Sequence, residues 1–102
     1  MEIQGNRILL EPRFIGFRDK ILAKVNELIA KKHTEIYIDM RQVEFIDSIA
    51  IGDLVKCHLT CSAHRIPLKL ENVSDHIKRT LNYAGLSEMF NLDSASAKSD
   101  KR

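Results

Sequence analysis

The 102-residue chain has no tryptophan, only four phenylalanines and two tyrosines, two cysteines and two prolines. So few aromatics leave little with which to stack bases. The net charge is only +2, and the basic residues are spread along the chain. A strong nucleic-acid field needs them clustered, so no nucleic-acid partner is expected. No stretch approaches the roughly 18 to 20 consecutive apolar residues of a membrane-spanning helix, so no membrane insertion is expected. Met1-Glu2-Ile3-Gln4 offers neither the basic patch nor the apolar run of a signal peptide, which predicts a cytoplasmic protein. Two thiols in that compartment should stay reduced, which excludes a disulfide scaffold.

What is present is an ordinary globular mixture, 44% hydrophobic and 29% charged. The length suits one domain, placed at residues 1–92. Residues 93–102 lack large apolar side chains and are expected to be a disordered polar tail.

Ile3 and Ile8-Leu9-Leu10 flank Gly5-Asn6 and read as a hairpin. Phe14, Phe17, Ile21, Leu22, Val25, Leu28 and Ile29 recur at three and four, predicting a helix over 14–32 with Arg18, Lys20, Lys24, Lys31 and Lys32 on its polar side. Residues 35–40 alternate Ile36, Ile38 and Met40 against Tyr37 and predict an interior strand. Val43, Phe45 and Ile46 are expected to be buried anchors before a second helix, from about Asp47-Ser48 to Ala63. Residues 66–70 read as a further strand, with Pro67 near its start. Ser74 is the expected cap of a third helix whose buried row is Ile77, Leu81 and Ala84, and Gly85 is its expected stop. Leu86, Met89 and Phe90 should return to the core. The order ββαβαβα predicts an α/β domain, a mixed sheet of about four strands with helices packed against it.

On a helical wheel with Ser48 at zero, Ala50, Ile51, Leu54, Val55, Cys57 and Cys61 share a broad apolar arc, roughly 180° to 340°. Asp53, Lys56 and Thr60 lie opposite, and Ile49 falls with them, at about 100°. Ile49 is thus an apolar residue on the polar side, beside Ser48. It reads either as an anchor for a partner or as an ordinary exposed side chain.

The stretch Ile36-Tyr-Ile-Asp-Met-Arg-Gln-Val-Glu-Phe-Ile-Asp47-Ser48-Ile-Ala-Ile-Gly52 resembles the core signature of STAS domains, the anti-sigma-factor-antagonist family. That signature is a strand ending Leu-Asp-Leu, a bridge with Val, then Phe-Ile-Asp-Ser and a helix start. Residues 66–72 resemble the family's next strand, and Ile77 through Phe90 its terminal helix and Gly-Leu turn. The resemblance implies a STAS fold without enzymatic activity or cofactor. It also implies partner switching, in which an anti-sigma factor that is a GHKL-type serine kinase phosphorylates the serine at the helix start and a PP2C-type phosphatase resets it. Ser48 matches that acceptor and Asp47 the residue before it. The expected partner surface is Asp47, Ile49, Asp53 and Lys56. Ile49-Ala50 stands where the commonest form has Ser-Gly, and Pro12-Arg13-Phe14-Ile15-Gly16 where many members have Gly-x-Leu-Asp. A scaffold or accessory subunit without a phospho-switch, stressosome-like or transporter-associated, is the alternative. From the residues alone, Ser48 or Asp47 is a helix cap, and capping and phosphorylation can coexist.

Two other constellations are weaker. Cys57, His58, Cys61 and His64 invite a zinc site, but the cysteines share a row with Ala50 and Leu54, the pattern of buried core residues, so no metal is expected. Ser48 with His58 or His64 suggests a hydrolase, yet the Gly-x-Ser-x-Gly elbow is missing.

Overall fold

Gly5, at φ +64°, turns the chain between β1 (Glu2–Gln4) and β2 (Arg7–Leu9) in the computed structural model, which describes residues 1–16 and 20–92. The positive φ explains why glycine sits there. The elements that follow are β3 (Arg13–Phe14), α1 (Ile21–Ala30), β4 (Ile36–Asp39), β5 (Phe45–Ile46), α2 (Ser48–Ala63), β6 (Leu68–Glu71) and α3 (Asp75–Tyr83). The main sheet runs β1-β2-β4-β6. Its first pair is antiparallel and the other two are parallel, with Ile8 beside Ile38 and Ile38 beside Leu70. Parallel neighbours require crossovers, and α1 and α2 supply them. The expected mixed four-stranded sheet with helices against it is therefore the architecture of the described residues.

Each helix buries the centre of the stripe its spacing predicts, with Leu22, Ile29, Ile51 and Val55 partly buried at the edges. Ile21, Val25 and Leu28 are buried on α1; Ala50, Leu54, Cys57 and Cys61 on α2; Ile77 and Leu81 on α3. They meet Ile8, Ile36 and Ile38 of the sheet in one core, which Leu86, Phe90 and Leu92 complete. Ser74 caps α3, its Oγ accepting from the Ile77 amide at 3.2 Å.

The three helices of the described residues end in the same reversal. The amides of His33, Ile66 and Leu86 reach back five residues to the carbonyls of Leu28, Cys61 and Leu81. The residue before each has a positive φ: Lys32 (68°), Arg65 (59°) and Gly85 (82°). This satisfies carbonyls that a helix end leaves open. Only the third stop, Gly85, is the expected glycine.

The structure corrects three expectations. The first helix begins at Ile21, not at residue 14, because Phe14 is buried by strand pairing: β3 runs parallel to β5, placing Phe14 beside Ile46. Phe17 and Arg18 of the expected stripe lie outside the described residues, as does the expected tail at 93–102. Phe45 is 41% exposed rather than buried, since neighbouring strand residues point to opposite faces and Ile46 takes the inward one. Ala84 is exposed because it is the C-cap, where the chain leaves α3.

Candidate functional site

The start of α2 is fixed by one carboxylate. Asp47 is extended, at φ −93° and ψ 171°, and caps the helix. Its Oδ1 accepts from the Ala50 amide at 2.8 Å and from the Gly16 amide at 3.0 Å. Asp47 therefore closes the helix and also ties it to the segment after β3. That segment lies so close that a Cβ on Gly16 would be 2.3 Å from Ile49 Cγ2 and 2.7 Å from the Ala50 nitrogen. Gly16 is a glycine for lack of room.

Ser48 is the first residue of α2 and is exposed. The amides at a helix start carry partial positive charge and have no partner within the helix. Ile49 is 43% exposed. Asp53 is half-buried and Lys56 exposed. Residues 49, 53 and 56 follow the four-then-three spacing that puts them on one side of α2. Ile49, Asp53 and Lys56 are thus brought together beside Ser48, whereas Asp47 turns an oxygen inward to the two amides. Asp47, not Ser48, is the observed cap.

Sequence reasoning missed two features of this site. The first is Phe45, exposed beneath Arg13, whose guanidinium carbon lies 4.6 Å from the ring centroid. The period-two alternation of a strand was the available signal. The second is Asp39, a buried carboxylate at the end of β4. Its Oδ1 accepts from the Arg41 amide and Asn72 Nδ2, each at 3.0 Å, and its Oδ2 from Arg41 Nε at 2.9 Å. Arg7 approaches the same Oδ2 at 4.0 Å and pairs with Glu71. Hydrogen bonds from Arg41 lead in lowering the Asp39 carboxyl to about 2, against the opposing effect of burial. This cluster anchors the start of the connection that leads to Asp47.

The other constellations do not converge on Ser48. His58 and His64 are ten and sixteen residues along α2, roughly 15 and 24 Å away at the helical rise, too far to serve it as a base. His58 instead meets Phe90 edge to face, the ring centroids 5.5 Å apart. Cys57 and Cys61 are free thiols buried in the core. Burial pushes the Cys57 thiol up to about 12 and raises Cys61 as well. Among the described residues no group of three or more His, Cys, Asp or Glu could hold a metal, and no helix is long and apolar enough to cross a membrane.

Among known families, the model of the STAS domain matches residues 13–99 of this chain. No curated protein and no solved structure matches it.

Proposed function

The chain belongs to the STAS domain family, a family of regulatory, protein-binding modules, and from that membership we propose that it is a partner switch controlled by phosphorylation of Ser48. The observation that carries the reading is the exposure of Ser48 at the first position of α2. A hydroxyl there can accept a phosphoryl group without entering the core. The amides at the helix start favour the added charge.

The unmodified protein docks on a GHKL-type serine kinase that is also an anti-sigma factor. The kinase transfers phosphate to Ser48, which gains about 1.5 to 2 negative charges. Ile49, Asp53 and Lys56 stay in place while the centre of the docking face becomes anionic. Moving a complex from almost wholly bound to almost wholly free takes about 5.5 kcal/mol of differential affinity. Charge desolvation in a closed interface is of that order. A PP2C-type phosphatase restores the hydroxyl.

The test is intact-mass measurement after incubation with ATP and the GHKL-type serine kinase of the same organism. One added phosphate, mapped to Ser48 and absent from Ser48→Ala, is expected. A protein that binds the kinase yet gains no phosphate is a scaffold, not a switch.

A further inference from the structure

An open cleft of about 240 Å3 lies where β6 runs out, between that strand, α3 and the closing segment after Gly85. It shares no residue with the surface around Ser48. Crevices at the carboxyl ends of strands are where open α/β sheets take ligands. The apolar lining is Leu70 and Val73 from the strand side and Phe90 and Leu92 from the closing segment. Phe90 is held by His58 of α2, the ring centroids 5.5 Å apart. Asn72, also in the lining, is held through its side-chain amide, which donates to Asp39 Oδ1 at 3.0 Å. An apolar cleft with a few fixed polar groups is the usual form of a small-molecule site.

Lys78 is the cation of this lining, which contains no acid. It is half-buried, and among the described residues no acid pairs with it. An ammonium set beside apolar walls matches one negative charge carried on an apolar body. A nucleotide matches less well. Arginine, which grips phosphate through two parallel bonds, is absent from the lining. The volume also falls below the roughly 300–1,000 Å3 of sites for drug-sized molecules. Residues 93–102 carry no apolar side chain larger than alanine, so they have little with which to fill these walls. The geometry points to a binding site, independent of the reading of Ser48, for a small monocarboxylate whose apolar body lies against Leu70, Val73, Phe90 and Leu92 and whose carboxylate meets Lys78. Burial of the body supplies most of the affinity. The half-exposed ion pair adds only a few-fold, but it selects the acid over a neutral molecule of the same shape.

The test is a titration of the full, 15N-labelled chain with benzoate, followed amide by amide by NMR. Saturable shifts are expected at Val73, Lys78 and Leu92, with a Kd of about 0.1 to 1 mM. Acetate, a carboxylate without the apolar body, should give no saturation. Benzamide, the same ring without the charge, should bind about threefold more weakly. Lys78→Gln should bind benzoate no better than benzamide, and Lys78→Arg should restore the preference. Val73→Phe, which narrows the cleft, should weaken both ligands by about tenfold; the two Lys78 variants alter a half-buried surface position and stand as the test even where Val73→Phe fails to fold. No saturable shift in the wild-type chain overturns the site. So do saturable shifts confined to residues away from the cleft, or a Lys78→Gln protein that keeps the wild-type preference for benzoate.

Discussion

The amide of Gly16 donates to Asp47 Oδ1 at 3.0 Å, the same oxygen that accepts from the Ala50 amide at 2.8 Å. One carboxylate thus holds the helix start and the segment after β3 together, with Ser48 next in the chain. Gly16→Ala forces a methyl onto Ile49 and the α2 backbone and should cost about 1–3 kcal/mol. Asp47→Ala should cost about 1–2 kcal/mol from the lost cap alone. Because both loosen one junction, the double variant should lose less than the sum. Urea unfolding of the four proteins checks this, and strict additivity would contradict it.

Asp39 links stability to acid. Its carboxyl lies at about 2 in the folded chain against an ordinary 3.8. A folded value below the unfolded one means stability that is complete above about pH 4 and lost as the pH falls toward 2. The shift corresponds to about 2 kcal/mol. Asp39→Asn should therefore be less stable by about that amount at pH 7. Its unfolding midpoint should also vary less than that of wild type between about pH 4 and 2, where this carboxyl titrates. Chemical unfolding across that range is the measurement.

Arg65 ends α2 at φ 59°, a conformation that costs an L side chain of this kind about 1 kcal/mol. Arg65→Gly should recover up to about that amount, less what glycine loses to the freer unfolded chain. Lys32, at φ 68° after α1, should behave alike. A thermal melt with no rise for either variant would contradict the assignment of strain to these two positions.

Cys57 lies in the core with its thiol pushed up to about 12. At pH 8 only about one molecule in ten thousand then carries the thiolate. Neither Cys57 nor Cys61 should react with an aromatic disulfide reagent in the folded protein, and labelling should follow unfolding as denaturant is added. Rapid labelling at pH 8 without denaturant is the contrary result.

The parts of this fold that read directly from the chain are those whose signals are local. Asp47-Ser48 as the start of α2, Ser74 as a cap and Gly85 as a stop each rest on residues within a turn of one another. Phe14 did not read correctly. Its spacing to Phe17 and Ile21 imitates a helix, while the cause of its burial is Ile46, thirty-two residues on. The Asp39 cluster draws on Arg7, Arg41, Glu71 and Asn72, which only the strand order brings together. Lys32 and Arg65 stop their helices with no residue type to announce it. Ser48 itself was legible, because exposure at a helix start follows from one helix and its period.

The affinity of the GHKL-type serine kinase for this protein with and without phosphate on Ser48 tests the central claim most directly. The account predicts tight binding of the unmodified chain and of Ser48→Ala. Phospho-Ser48 should bind at least about a hundredfold more weakly, a difference near 3 kcal/mol, and Ser48→Glu in between. Equal affinity of the phosphorylated and unmodified chains would contradict it.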